Sequence, residues 1–217
     1  FTMVGGTLTA AVGETVVIEA LGGGTCRMTG PAGSRQGPCA IDVEWDGWTE
    51  EPTTAIQLGA CVLPPWNAPI GLAWQPCRYA RGTLHVRPDN DTATIHLSVE
   101  IDIEDYVLGI SESPYAWGTT GGQAALEAQA VAARSYALHR VLVRGDPATR
   151  PWCWCQLYDT TVDQFYAGWG HGTQTWIDAV EATAPGHQVV VVDNGSTDGT
   201  PAYLQQLEDE RPSVRVL

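Results

Sequence analysis

A single carboxylate in an aromatic loop is the side chain in this sequence best suited to acid–base chemistry. Glu112 lies between two serines and is followed by Pro114, Tyr115 and Trp117. Apolar neighbours remove water from a carboxylate and raise its pKa, which lets the group hold a proton near neutral pH. Such a group can protonate a leaving oxygen and later accept a proton. The residues alone leave a second interpretation open, in which Glu112 caps a helix or pairs with Arg134.

Cysteine and histidine side chains offer a weaker prospect of a metal site. Cys153 and Cys155 are separated by one residue, and His139 and His171 lie near them in sequence. Thiolates and imidazoles bind zinc, but the same cysteines can form a disulfide or stay free thiols. We therefore expect no metal and no cofactor, with zinc held by Cys153, Cys155 and His139 as the less favoured alternative.

The segments on both sides of Glu112 must position it. Residues 100–104 alternate acidic residues with isoleucines, which predicts a strand with a solvated carboxylate face in preference to a metal site. After the loop, Thr120 and Gln123 have the spacing of a capping box at the start of a helix. Apolar residues then recur every three or four positions until Gly145, and they predict a buried, alanine-rich helix face: Leu126, Ala130, Ala133, Ala137 and Val141.

Before this helix, the sequence predicts mainly β structure. Strand-like alternation predicts a hairpin over residues 83–99, another over residues 2–20 split at Gly13-Glu14, and a short strand over residues 39–45. Residues 21–37 are rich in glycine and predict turns. A second amphipathic helix is expected with Trp176, Ile177, Ala179, Val180 and Thr183 on its apolar side. The fold class is therefore α+β, with a β-rich N-terminal region and a mixed core around a central alanine-rich helix.

Two ordered blocks of sequence resemble the stage II sporulation protein D family, which includes the amidase-enhancer proteins. The first block is EDYVLGISESP followed by QAALEAQAVAARSYALHR, and the second comprises DTTVDQFYAG and WIDAVEAT. The resemblance covers roughly residues 81–186. Two positions depart from the family pattern: Ser113 stands where Met is usual, and Asp163 where a Cys often precedes the Gln. The matching residues include Glu104, Asp105, Tyr106, Gly109, Glu112, Gln129, Arg134, Ser135, Tyr136, Asp159, Gln164, Tyr166 and Gly168.

The resemblance implies a lytic transglycosylase that acts on the glycan strands of bacterial peptidoglycan, with Glu112 as its acid and base. One carboxylate is enough, because the C6 hydroxyl of the muramic acid supplies the nucleophile and closes a 1,6-anhydro ring, whereas hydrolytic glycosidases need a second carboxylate. The residues that the resemblance places around the sugar, or in support of the Glu112 loop, are Tyr106, Gln129, Arg134, Ser135, Tyr136, Asp159, Gln164 and Tyr166. A second implied function is a non-enzymatic wall-binding module that enhances an N-acetylmuramoyl-L-alanine amidase.

Composition excludes several classes of partner. The 217 residues carry a net charge of -14 and 11 basic side chains, all of them arginine. A nucleic-acid-binding face needs clustered positive charge, and an anionic membrane surface would repel an acidic protein. Schiff-base chemistry and the phosphate-binding P-loop both need a lysine, which the sequence lacks. No apolar run is long enough to span a bilayer.

The six cysteines favour an extracytoplasmic location, secreted or associated with the cell wall. They group by position as 26 with 39, 61 with 77 and 153 with 155, and pairing within the first two groups closes short loops, as in secreted domains. Because the chain opens with Phe1, we interpret it as a processed or excised fragment.

Three regions follow from these patterns. Residues 1–80 form a β-rich N-terminal region and residues 81–186 a catalytic core of the sporulation family type. Residues 187–217 resemble a βα unit of inverting family 2 glycosyltransferases, in which Asp193 would contact the nucleotide base. We expect this tail to be a non-functional fragment, and a nucleotide-sugar glycosyltransferase fragment is the third functional alternative.

Overall fold

The computed structural model describes residues 1–45, 54–59, 78–89, 94–110, 112–113, 115–168, 173–184, 189–191, 197, 199–210 and 214–216. Both helices and strands occur, so the α+β class is confirmed. None of the helices in these ranges is both long enough and apolar enough to cross a membrane.

The N-terminal half is built from two antiparallel sheets. Strands β1 (Thr2–Met3), β2 (Gly6–Thr7), β6 (Ile41–Val43), β9 (Thr83–Pro88) and β10 (Ile95–Glu100) form a five-stranded sheet in the order β10-β9-β6-β1-β2. Strands β3 (Val17–Gly22), β4 (Thr25–Gly30) and β5 (Gly33–Pro38) form a three-stranded meander. A short pair, β7 (Ile56–Gln57) and β8 (Arg78–Tyr79), completes this half. The five-stranded sheet runs across residue 80, where the sequence suggested a boundary.

One hydrophobic cluster joins the two larger sheets. It includes Met28, Ile41, Leu84 and Val86, together with Cys26 and Cys39, and the last two form the predicted disulfide. The hairpin expected over residues 83–99 is confirmed as β9 and β10, which pair in antiparallel register from Thr83↔Glu100 to Pro88↔Ile95. The strand expected over residues 39–45 is confirmed as β6.

Two predictions for the first forty residues were wrong. The hairpin expected over residues 2–20 is replaced by a tight turn between β1 and β2, and β3 pairs with β4 instead. Residues 25–30 and 33–38 form strands in place of the expected turns, and Cys26 and Met28 point into the core with no exposed surface. Turns in this stretch are confined to residues 23–24, where Gly23 and Gly24 both have positive φ, and to residues 31–32.

Residues 103–108 form a helix where the alternation of isoleucine and acidic residues predicted a strand. Strand β10 ends at Glu100, and Asp102 then caps α1 (Ile103–Leu108), its carboxylate accepting a 2.8 Å hydrogen bond from the Glu104 amide. A side-chain acceptor at this position satisfies a free amide of the first turn, and this outweighs the period-two pattern.

The N-cap of the long helix α2 (Gln123–Arg144) is Gly122, so the capping box expected at Thr120 is not formed. The Thr120 hydroxyl instead donates to the carbonyls of Ala116 and Trp117 within a 3₁₀ helix (Tyr115–Thr120). The side-chain amide of Gln123 donates to the Thr175 carbonyl. The predicted apolar face is confirmed for Leu126, Ala130, Ala133 and Ala137, which are buried. The helix ends before Gly145, as predicted.

A second hydrophobic cluster holds the helices together. Helix α3 (Gln174–Ala182) brings Trp176, Ala179 and Val180 against Leu126 and Ala130 of α2 and against Val107 and Ile110 at the end of α1. The small side chains of α2 allow this close approach. The end of α1, and with it the loop that begins at Ile110, is therefore set by the α2–α3 pair.

The C-terminal segment forms a βαβ unit. Strands β11 (Val189–Val191) and β12 (Val214–Val216) pair in parallel, with α4 (Thr200–Glu210) between them in sequence. This pair is a sheet of its own and extends neither of the N-terminal sheets. Asp193, the residue expected to contact a nucleotide base, lies outside the described residues.

Candidate active site

Glu112 lies at the surface beside a backbone amide of a distant segment. Its side chain is exposed, and Oε1 accepts a 3.2 Å hydrogen bond from the Phe165 N–H. Partial desolvation raises the pKa of Glu112 above its ordinary value, and the hydrogen bond from Phe165 opposes this rise. The net shift of the Glu112 pKa is in the direction that a general acid requires.

The amide reaches Glu112 because residues 165–167 run antiparallel to Gly109 and Ile110. The Ala167 N–H donates to the Gly109 carbonyl at 2.8 Å, and Ile110 and Tyr166 form an antiparallel bridge. Gly109 is needed at this crossing, since a Cβ there would lie 2.2 Å from the Tyr166 ring. This short pairing holds the start of the Glu112 loop against the segment DTTVDQFYAG, part of the second block of family resemblance.

A stack of tyrosines lies behind the pairing. The Tyr106 and Tyr166 rings are parallel within 11°, with their centroids 5.4 Å apart, and the centroids of the Tyr79 and Tyr166 rings are 6.4 Å apart. The Tyr106 hydroxyl donates to Oε1 of Gln164 at 3.2 Å. Burial raises the pKa of Tyr106 above its usual range, with a further contribution from the negative charge of Glu112. Tyr106 is therefore close to Glu112 and uncharged at neutral pH.

Tyr106, Gln164 and Tyr166 lie in the segments that meet beside Glu112. Their contact with a sugar stays a prediction. Asp159 belongs to the same neighbourhood, since its charge acts on Tyr79 and Tyr106, and desolvation raises the pKa of its own carboxyl.

Arg134 does not pair with Glu112. Its guanidinium makes a bidentate ion pair with Glu104 on α1: Nε donates to Oε1 at 2.7 Å, and Nη2 donates to Oε2 at 2.6 Å. A planar fork on a carboxylate is among the stronger protein hydrogen-bond arrangements, and here it ties α1 to α2. The interpretation of Glu112 as the partner of Arg134 was wrong, and this geometry favours a structural role for Arg134.

Ser135 and Gln129, two further predicted residues of α2, differ from each other in their surroundings. The Ser135 hydroxyl donates within its own helix to the Val131 carbonyl at 2.8 Å. Gln129 is half-buried. A role in binding substrate stays a prediction for both.

Tyr136 points to Asp163, a residue that the sequence marked only as a departure from the family pattern. The Tyr136 hydroxyl donates to Asp163 Oδ1 at 2.8 Å, and Arg144 Nη2 donates to the same oxygen at 2.8 Å. The Asp163 side chain has no exposed surface. These hydrogen bonds lower the pKa of Asp163 to about 2 despite its burial. Sequence reasoning missed this cluster, although Tyr136, Arg140 and Arg144 recur every four residues along α2 and so share one face.

Cys153 and Cys155 form a disulfide. His139 lies on α2 beside Leu142, Val143 and residues of α4, where it lines a cavity of about 300 Å³. Within the described residues, no group of three or more His, Cys, Asp or Glu side chains is placed to hold a metal ion. Zinc at Cys153 and Cys155 would first require reduction of their disulfide, and His171 lies outside the described residues.

Comparison with known proteins gives one match. The family model SpoIID, described as stage II sporulation protein, matches residues 91–191. No curated protein and no solved structure matches the chain. The matched range contains Glu112, the pairing of Gly109 and Ile110 with residues 165–167, and the helices α1, α2 and α3.

Proposed function

Because residues 91–191 belong to the SpoIID family of stage II sporulation proteins, we propose that this chain is a lytic transglycosylase of peptidoglycan. The substrate is the glycan strand, and the bond cleaved is the glycosidic bond between N-acetylmuramic acid and N-acetylglucosamine. The observation that carries the proposal is the carboxylate of Glu112, which is exposed, held by a backbone amide and shifted toward its protonated form.

The reaction needs one group that first gives and then takes a proton. Protonated Glu112 donates to the glycosidic oxygen, and the bond to the anomeric carbon breaks. The resulting carboxylate then accepts the proton of the muramyl C6 hydroxyl, whose oxygen attacks the anomeric carbon and forms the 1,6-anhydro ring. Water takes no part, so Glu112 returns to its protonated state without a second carboxylate.

The hydrogen bond from Phe165 suits this exchange of roles. It stabilises the ionised carboxylate formed after the first proton transfer, while desolvation favours the acid that begins the cycle. The opposed effects keep both protonation states accessible, as a group that acts as acid and then as base requires. The same bond fixes the carboxylate in one position relative to the Tyr106 and Tyr166 stack.

The proposal includes an extracytoplasmic site of action, where peptidoglycan is found. The disulfides Cys26–Cys39 and Cys153–Cys155 are compatible with an oxidising compartment.

Digestion of purified glycan strands tests the activity. We expect the wild-type protein to release 1,6-anhydro products that mass spectrometry identifies, and Glu112→Gln to lower the rate by about 10²- to 10⁴-fold. Glu181→Gln is the matched control, because Glu181 is exposed on α3. Products with reducing ends would indicate hydrolysis, and equal rates for wild type and Glu112→Gln would refute the assignment of Glu112.

The amidase-enhancer alternative gives a different result in the same samples. If the protein releases no anhydro product but activates a cell-wall amidase, and Glu112→Gln activates it equally well, the chain is a wall-binding module and not an enzyme.

A further inference from the structure

Asp163 is a buried carboxylate whose two oxygens both accept hydrogen bonds. Oδ1 accepts hydrogen bonds from the Tyr136 hydroxyl and from Arg144 Nη2, each at 2.8 Å, and lies 3.3 Å from Arg140 Nε. Oδ2 accepts from the Tyr158 N–H at 2.9 Å and from Arg144 Nη1. Removing a carboxylate from water is costly unless its oxygens are satisfied, and here both are.

The side chains that contact Asp163, two hydrogen-bond donors and the ion-pair partner Arg140, lie on one face of α2. Tyr136, Arg140 and Arg144 are spaced by four residues, and the Arg140 guanidinium also stacks over the Tyr136 ring at 4.9 Å. Helix α2 is fixed in turn by its packed alanine face and by the Arg134–Glu104 pair. Asp163 therefore attaches the segment 158–168 to a helix that is itself held by packing and by an ion pair.

The attachment point lies next to the contact with Glu112. Phe165 follows Asp163 by two positions, a span of at most about 7 Å, and the Phe165 N–H is the donor to Glu112. The same segment continues into the Ile110–Tyr166 bridge and the Ala167–Gly109 hydrogen bond. A continuous path thus leads from the α2 face through Asp163 to the amide that holds Glu112.

We propose that Asp163, clamped by Tyr136, Arg140 and Arg144, is a positioning residue that places the Phe165 amide on the carboxylate of Glu112. The effect of Asp163 on catalysis rests on the proposed function, whereas its effect on the Phe165–Glu112 hydrogen bond does not. If the contacts of Asp163 with Tyr136, Arg140 and Arg144 are weakened, the Phe165 N–H moves away from Glu112. The carboxylate then loses its fixed position during proton transfer.

Tyr136→Phe is the sharpest variant. It removes one hydroxyl donor from Asp163 while the charges of Asp163, Arg140, Arg144, Glu112 and Asp159 stay unchanged, so any effect on Glu112 arises from position. Asp163→Asn removes the acceptor itself, but it leaves two arginines without their partner and can unfold the chain. Tyr203→Phe, on the exposed side of α4, is the matched control for loss of a tyrosine hydroxyl.

The first readout is the backbone amide of Phe165 in an NMR pH titration of the full chain. In the wild type, we expect its proton shift to follow the ionisation of Glu112 and to lose that dependence in Glu112→Gln. In Tyr136→Phe, the amplitude should fall and hydrogen exchange at Phe165 should speed up by about tenfold, with no change in Tyr203→Phe. A purely structural role of Asp163 would lower thermal stability without uncoupling Phe165 from Glu112.

The second readout is the kinetics of glycan cleavage. Misplacing a reacting group lowers the rate of the chemical step more than it weakens binding, so we expect Tyr136→Phe to lower kcat by about tenfold with KM nearly unchanged. An unchanged Phe165 titration and exchange rate in Tyr136→Phe would overturn the inference. If the wild type cleaves no glycan, the proposed function fails, and the NMR result still decides the role of Asp163.

Discussion

At the scale of single residues, the surroundings of two carboxylates drive their ionisation in opposite directions. Partial desolvation raises the pKa of Glu112, and one backbone amide opposes it. Asp163 loses more contact with water, yet Arg144, the Tyr158 amide and Tyr136 lower its pKa to about 2. Two acid groups whose pKa values are shifted in opposite directions can take different roles in one site. Glu112 is suited to proton transfer and Asp163 to permanent charge.

The pKa of Glu112 predicts the pH dependence of cleavage. The reaction starts from the protonated acid, so activity falls as pH rises through the pKa of the folded protein. Because that pKa is raised, we expect the alkaline limb of kcat/KM to lie above pH 4.3, roughly the value of an unperturbed glutamate. A pH–rate profile measures this limb directly, and a limb at or below that pH would contradict the prediction.

The depressed pKa of Asp163 predicts a loss of stability in acid. The folded-state pKa lies below the unfolded value, so the contribution is fully present above about pH 4 and is lost as pH falls toward about pH 2. It amounts to about 2–3 kcal/mol. We expect the free energy of unfolding in urea to fall less steeply between pH 5 and pH 2, roughly the range over which an aspartate titrates, in Asp163→Asn than in the wild type.

Asp163→Asn should also be less stable than the wild type at neutral pH, by about 3 kcal/mol, because Arg140 and Arg144 lose their buried partner. Parallel slopes for the two proteins in acid would show that another carboxylate dominates the acid transition.

At the scale of elements, the site depends on how three segments meet. Helix α2 presents its alanine face to α3 and its Tyr136–Arg144 face to the segment 158–168. Helix α1 ends at Gly109, where that same segment crosses it. Glu112 follows this crossing by three residues, so its position depends on how closely the two backbones approach.

Gly109→Ala tests the crossing. The added Cβ would lie 2.2 Å from the Tyr166 ring, so the ring or the backbone must move. We expect a loss of about 1–3 kcal/mol in the free energy of unfolding, together with reduced glycan cleavage. Gly199→Ala is the control, because a Cβ there meets nothing within 4 Å. Equal stability of the two variants in urea would show that the crossing adapts at no cost.

At the scale of the whole molecule, a sheet-based half precedes a helix-based half, and β9 and β10 lead from one to the other. Cys26 and Cys39 lie in the core of the first half with 0% and 2% of their surfaces exposed. Their disulfide joins positions 13 apart in sequence, whereas Cys153 and Cys155 are only 2 apart. A longer closed loop restricts the unfolded chain more.

Removal of each disulfide by paired alanine substitutions tests this difference. We expect Cys26→Ala with Cys39→Ala to lower the free energy of unfolding by about 3 kcal/mol, and Cys153→Ala with Cys155→Ala to lower it by less. Urea unfolding under oxidising conditions gives both values. A larger effect at Cys153 and Cys155 would mean that local contacts outweigh chain entropy.

Local patterns were sufficient where one signal acts alone. The recurrence of Leu126, Ala130, Ala133 and Ala137 predicted the buried face of α2, and the grouping of Cys26 with Cys39 predicted a disulfide. Local signals failed where two compete. The period-two pattern after Glu100 predicted a strand, but the cap supplied by Asp102 starts a helix. Glycine content predicted turns over residues 21–37, but the alternation of Cys26 and Met28 into the core builds strands.

The sequence by itself determined the α+β class, the resemblance of roughly residues 81–186 to the sporulation family and Glu112 as the candidate acid, because residue types at fixed spacing carry that information. Only the tertiary structure decided that Arg134 pairs with Glu104, that Phe165 contacts Glu112 through its backbone, and that Asp163 is clamped to α2. A backbone amide has no residue type to recognise, and the partner of a charge depends on the path of the chain through space.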